Sequence, residues 1–261
     1  MALTFYKYHG TGNDFIMIDN RSGAIQLSHK QINLLCDRRF GIGADGLILI
    51  ETSVEYDFYM RYFNADGAEG TMCGNGGRCS VHFARQLGLI SAHDTTFEAA
   101  DGTHKAVIHD DIVALNMQDV TDIEWFDHHC FLDTGSPHHI EFTDEIDKLD
   151  VYKAGKAIRY GLPYGEEGTN VNFVKQIKDN VFQVRTYERG VEDETLSCGT
   201  GVTAIAIAMY GMGKTKANVV RLMTKGGQLE VSFVKEGNTY TNVVLKGPAT
   251  FVFKGVIEVA D

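Results

Sequence analysis

The strongest constraint on how this chain can fold is an internal duplication. Met72-Cys73-Gly74-Asn75-Gly76-Gly77-Arg78 in the first half is matched, 125 residues on, by Ser197-Cys198-Gly199-Thr200-Gly201-Val202 in the second. At that offset Tyr62 falls on Tyr187, Glu69 on Glu194 and Gly88 on Gly213, so the match extends beyond the cysteines. In each copy a strand-like run (58–64, then 181–188) passes through a polar loop into Cys-Gly-x-Gly, and a helix-forming run follows. Each cysteine is therefore expected at a helix start, where unpaired N–H groups and the helix dipole favour a thiolate and can hold a carboxylate.

A chain of 261 residues built on such a repeat reads as two lobes. The first is expected over 1–118, with a last strand near 249–261 returning to it, and the second over 119–248. Many strands and few helices, without regular strand–helix alternation, indicate an α+β fold: two pseudo-symmetric lobes, each a mainly antiparallel curled sheet around its cysteine helix.

The pattern along the chain supports that division. Strands over 3–9 and 15–19 flank the turn Gly10-Thr11-Gly12-Asn13-Asp14. Ser28 with Gln31 resembles a capping box opening a helix to about Phe40. Gly41 to Gly46 spells G-x-G-x-x-G, but it follows a helix and precedes a strand, the reverse of a dinucleotide site. In the helix after Cys73 the apolar side carries Cys79, Val81 and Phe83, and Arg78, His82 and Arg85 fall on a more polar side. The helix after Cys198 is apolar all round and is expected to be buried.

Composition narrows the function. A net charge of −11 argues against nucleic-acid binding, since phosphate contacts need concentrated Lys and Arg. No apolar run approaches membrane-spanning length. The first residues enter a strand pattern rather than a signal peptide. Five cysteines at irregular spacing suggest reduced thiols in a cytoplasmic protein, with Cys36, Cys79 and Cys130 as core residues. The doublets His128-His129 and His138-His139 do not suggest a metal, because strand neighbours point to opposite faces.

Three roles are open to Cys73 and Cys198: a redox or structural pair, a nucleophile with a histidine base, or an acid and a base on opposite faces of a substrate. Duplication favours the last. Inverting a carbon centre by proton exchange needs one group to remove the proton and another to return it from the other side.

His9-Gly10-Thr11-Gly12-Asn13-Asp14-Phe15, Phe63-Asn64-Ala65-Asp66-Gly67 running to Cys73-Gly74-Asn75-Gly76-Gly77-Arg78-Cys79, and Tyr187-Glu188-Arg189-Gly190 running to Ser197-Cys198-Gly199-Thr200-Gly201 resemble diaminopimelate epimerase over nearly the whole chain. The resemblance implies a homodimeric enzyme, without cofactor or metal, that interconverts LL- and meso-diaminopimelate for lysine and peptidoglycan synthesis. It makes Cys73 and Cys198 the proton-transfer residues. Gly74 with Asn75, and Gly199 with Thr200, would offer N–H groups to the carboxylate at the reacting centre. Asn13, Asn64, Asn170 and Arg189 would hold the substrate, with Glu188 and His138 near its amino group and the thiols. Many family members have Gln where Gly46 stands and Asn where Ser136 stands, so two side-chain amides are expected to be missing. The loop from Arg189 to Cys198 is also expected to be one residue longer than in the family.

Overall fold

The computed structural model describes residues 1–259; the last two positions of the strand expected near 249–261 lie outside the described residues. The chain divides into two compact units. One comprises Met1–Leu115 and the segment from Gly247 onward; the other is Asn116–Lys246.

The first unit opens with the hairpin β1 (Ala2–Gly10) and β2 (Asn13–Asp19). Its two-residue turn places Thr11 at φ 49° and Gly12 at φ 87°, which brings Asn13 to the first position of β2. Helix α1 (His29–Cys36) begins with the capping box of Ser28 and Gln31. It stops four residues short of the expected Phe40, because Asp37 is extended and its carboxylate accepts from the Arg39 and Phe40 N–H groups. β3 (Gly46–Glu51) then runs parallel to β2 and antiparallel to β4 (Tyr59–Asn64), and β4 pairs with the short β5 (Glu69–Gly70). Helix α2 (Gly74–Gln86) follows, then β6 (Asp94–Ala99), parallel to β4, and the antiparallel β7 (Gly102–His109) and β8 (Ile112–Asn116), the last residue of which opens the second unit.

The second unit repeats this pairing pattern. β9 (Glu124–Trp125) pairs with β10 (His129–Asp133), which forms a hairpin with β11 (Pro137–Phe142). After a 3-10 turn at Ile146–Lys148 and helix α3 (Val151–Arg159), β12 (Asn170–Lys178) lies parallel to β11 and antiparallel to β13 (Val181–Glu188). β13 pairs with the short β14 (Asp193–Thr195). Helix α4 (Gly199–Gly211) leads to β15 (Val219–Thr224), parallel to β13, and then to the antiparallel β16 (Gly227–Glu236) and β17 (Thr239–Pro248), which carries the chain back into the first unit. Finally β18 (Thr250–Glu258) pairs with β1, as β9 pairs with β10. The fold is α+β, with mostly antiparallel pairing.

The strand register corrects one sequence equivalence. Ile48 faces Tyr62 across β3 and β4, and Asn172 faces Thr186 across β12 and β13, so the counterpart of Tyr62 is Thr186 and that of Phe63 is Tyr187. Glu69 still matches Glu194, since Phe63 pairs with Glu69 and Tyr187 with Glu194. The second copy therefore carries one more residue in the loop between these strands.

Each cysteine helix runs through its unit's core. α4 is buried from Gly201 to Met209 and packs among Leu132, Ile140, Phe182, Val220 and Leu245. α2 buries Cys79, Val81, Phe83 and Ala84, and Arg78 as well, which the helical pattern had placed on the more polar side. Cys36, Cys79 and Cys130 are core residues, and burial pushes each thiol up to about 12.

Candidate active site: two half-sites at helix starts

Cys73 is the N-cap of α2 and Cys198 the N-cap of α4; both have extended backbone, and neither side chain caps its own helix. The first-turn amides of each helix, those of Gly74 and Asn75 and of Gly199 and Thr200, have no intrahelical acceptor by geometry and carry the positive end of the dipole.

Around Cys73 the orientations of Asn13 and Asn75 are settled by charged neighbours. Asp45 Oδ2 can only accept, so the Asn13 nitrogen faces it at 2.8 Å and Asn13 Oδ1 faces inward. That oxygen accepts from Asn75 Nδ2 at 3.2 Å and from Cys73 Sγ at 3.7 Å. Asn75 is held in turn by Arg78, whose Nη2 donates to Asn75 Oδ1 at 2.8 Å and whose Nη1 donates to the Gly74 carbonyl at 3.2 Å. Burial lowers the Arg78 guanidinium to about 10, so it remains charged at neutral pH beneath the helix start. The Asp45 support is itself clamped, because Arg38 bridges Asp14 and Asp45 at 2.7 Å each. Burial alone would raise Asp14, but hydrogen bonds from Arg38 and Lys7 outweigh it and hold the carboxyl at about 2. Asn64 ends β4 beside Gly46, which pairs with Phe15 on its other side. The Tyr62 hydroxyl donates to Asn64 Oδ1 at 2.9 Å.

Around Cys198 hydroxyls, an imidazole and an amide form a chain of contacts. Thr200 Oγ1 lies 3.5 Å from Cys198 Sγ and 3.0 Å from Ser136 Oγ, and Ser136 Oγ lies 3.0 Å from His138 Nε2. Asn170 Nδ2 donates to the Pro137 carbonyl at 3.0 Å and reaches Ser136 Oγ at 3.4 Å, while its oxygen accepts from the Arg189 N–H at 2.9 Å. The Arg189 guanidinium donates to the Glu167 carbonyl at 3.2 Å, and Glu188 closes β13 opposite Asp193. Burial, with a smaller contribution from Arg189, pushes His138 down to about 3, so its ring is neutral. His139 points the other way, toward the Tyr164 hydroxyl, as strand alternation requires.

Thus Asn13, Cys73, Gly74 and Asn75 come together in one unit, with Asn64 at the same end of its strands. His138, Asn170, Arg189, Cys198 and Thr200 form one connected group in the other, with Gly199 heading its helix. Sequence reasoning missed Asp45, the burial of Arg78, Asn172, and the bonded role of Ser136. A signal existed for Ser136: Thr134-Gly135-Ser136 matches Thr11-Gly12-Asn13, so the site has a hydroxyl where the first copy has an amide.

A family model described as Diaminopimelate epimerase matches residues 5–122 and 130–252. A diaminopimelate epimerase of Flavobacterium psychrophilum is 55% identical over 98% of this chain and 100% of its own. That of Chlorobaculum tepidum is 45% identical over 95% and 98%. Among solved structures, a Bacillus anthracis phenazine biosynthesis protein of the PhzF family superposes with a TM-score of 0.80 at 13% identity, covering 99% of this chain and 100% of that one; it shares the fold. Among the described residues, no helix is long and apolar enough to cross a membrane.

Proposed function

This chain belongs to the diaminopimelate epimerase family, and on that premise we propose that it interconverts LL- and meso-diaminopimelate by two-base proton transfer at the α-carbon. One of Cys73 and Cys198 removes the α-proton as thiolate, and the other returns a proton from its thiol to the opposite face. The observation that carries this reading is the pair of cysteine N-caps, each at the head of a 13-residue helix whose first-turn amides, which lack an intrahelical acceptor, can stabilise the charge developing on the substrate carboxylate.

The amides of Gly74 and Asn75, and of Gly199 and Thr200, bind that carboxylate. Asn13, Asn64, Asn170 and Arg189 hold the rest of the substrate, Arg189 being suited to a carboxylate. Glu188 and His138 face the reacting amino group and thiol. The enzyme works in the cytoplasm as a homodimer, without metal or cofactor.

Incubation with LL-diaminopimelate and a panel of L-amino acids in deuterated water tests this. Diaminopimelate alone should be inverted, with label entering the product early while recovered substrate stays largely unlabelled. Equal early labelling of both would sink the two-base assignment, and inversion of another amino acid in preference would change the substrate.

A further inference from the structure

We propose that Ser136 is a positioning residue that couples the buried His138 to Thr200 and so presents a hydrogen-bond donor to the Cys198 sulfur. This rests on the reading of Cys198 as a proton-transfer group and adds to it the residue that biases its charge state.

The direction of the chain of hydrogen bonds follows from its fixed ends. The His139 carbonyl can only accept, so the Asn172 side-chain nitrogen faces it at 3.0 Å, while Asn172 Oδ1 accepts from the Thr186 hydroxyl at 3.0 Å. That same nitrogen lies 3.1 Å from His138 Nδ1, which must therefore accept. In a neutral ring the single proton then sits on Nε2 and is donated to Ser136 Oγ. Ser136 also receives the Asn170 N–H, whose orientation is set by the Pro137 carbonyl and the Arg189 amide. With both acceptor positions of Ser136 filled, its own proton goes to Thr200 Oγ1, and the Thr200 hydroxyl is left to donate to Cys198 Sγ. A donor aimed at sulfur favours thiolate over thiol. No proton needs to travel along the chain.

The first unit shows that packing does not require these polar groups. A Cβ on Gly76 would lie 3.1 Å from Ile48 Cδ1 and 3.5 Å from Phe15 Cζ, whereas one on Gly201 would lie 2.6 Å from Asn172 Oδ1. Phe15 pairs with Gly46, and His138 pairs with Asn170, at the matching foot of the next strand. The buried His138 and Asn172 thus occupy the places of Phe15 and Ile48. Burying two polar side chains where hydrocarbon serves is unfavourable unless their hydrogen bonds are used. The charged group that acts on His138 from a neighbouring element is Arg189, just beyond β13, next to Glu188 at that strand's last position.

The test is the pH dependence of iodoacetamide labelling of Cys198 without substrate, read by peptide mass mapping, with Cys73 in the same sample as reference. Ser136→Ala should move the Cys198 midpoint upward by about one pH unit, which lowers labelling about tenfold below the midpoint, and leave Cys73 in place. Ser136→Thr, which keeps the hydroxyl, should retain the original midpoint. Thr200→Val should give the same shift as Ser136→Ala, and the double variant should add nothing to it. An unmoved Cys198 midpoint, an equal shift at Cys73, or additive shifts would each overturn the proposal. Because labelling needs no substrate, it stands or falls separately from the assignment of diaminopimelate.

Discussion

The helices that begin at Cys73 and Cys198 follow the same strand pattern, yet they hold their buried starts in opposite ways. At Cys73 the support is ionic: a buried Arg78 grips Asn75 and the Gly74 carbonyl, while Asp45, tied to Arg38, orients Asn13. At Cys198 the position matching Arg78 is Thr203, whose hydroxyl donates to the Gly199 carbonyl at 2.9 Å, and the Thr200 and Ser136 hydroxyls and the His138 imidazole follow in a chain. The sulfurs consequently meet different atoms. Cys73 has an amide oxygen, which accepts, and Cys198 has a hydroxyl, which can donate. Duplication supplied two helix starts; divergence of the residues around them gave the two sulfurs different polar contacts.

The harshest test of equal necessity is removal of each sulfur. Cys73→Ala and Cys198→Ala should each reduce epimerisation by about 10⁴-fold, the upper range for losing an acid or base, with the far-UV spectrum unchanged. If one variant kept a tenth of the activity, the two half-sites would not share the reaction. Next comes the support. Arg78→Met leaves the Gly74 carbonyl and Asn75 Oδ1 without a buried charged donor, and should cost roughly 3 kcal/mol in a denaturant titration. Thr203→Ala, at the matching place, should cost about 1 kcal/mol. Similar costs would mean that the ionic and neutral supports are equivalent.

What the sequence made legible was the backbone-level part of this comparison. Cys-Gly-x-Gly with a strand before it and a helix after it specifies a helix start, so the starts of α2 and α4 could be placed within a residue. The turn at Thr11-Gly12 was legible for the same reason. Arg78 was not, because helical periodicity assigns a face but cannot tell that the Gly74 carbonyl and the Asn75 side-chain oxygen, one turn back on the same helix, satisfy the guanidinium. Ser136 was masked by its chemistry: as a departure from the family's Asn it reads as a loss, and only the three-dimensional approach of His138, Asn170 and Thr200 shows it bonded. The one-residue slip that pairs Tyr62 with Thr186 escaped the repeat because an extra loop residue restores the offset before the cysteine.

The buried polar pair gives a pH test. An unfolded imidazole takes up its proton near 6.5, whereas folded His138 does so only near 3, so between these values the unfolded chain binds more protons and stability falls as pH falls. By pH 4 this loss amounts to about 3 kcal/mol relative to pH 7. Asp14, held at about 2, stabilises above the ordinary carboxylate range, and its contribution is lost only as pH falls below about 4 toward 2, so the two windows barely overlap. Installing the first unit's residues, His138→Phe with Asn172→Ile, should remove the loss between pH 7 and 4. A variant as acid-sensitive as the wild type would show that another group governs that range.

The smallest expected effect concerns the two asparagines that end their strand groups. Asn170 is fixed by backbone, donating to the Pro137 carbonyl and accepting from the Arg189 amide, so no neighbouring side-chain change releases it. Asn64 depends on a side chain, the Tyr62 hydroxyl. That hydroxyl is in place because position 46 is glycine: a Cβ there would lie 2.6 Å from Tyr62 Cε2 and 2.6 Å from the Phe63 carbonyl oxygen. The ring lies across the bare backbone of β3 and so supplies a polar contact where the family's Gln side chain is missing. Tyr62→Phe keeps the ring and deletes the bond, worth about 1 kcal/mol at a partly exposed site. If Asn64 binds substrate, that energy should appear as a rise in KM of roughly fivefold with kcat nearly unchanged, since uniform binding is lost and the cysteines are untouched. A fall in kcat with constant KM would place Tyr62 in the chemistry itself, and no change in either would show that Asn64 holds its position without help, as Asn170 does.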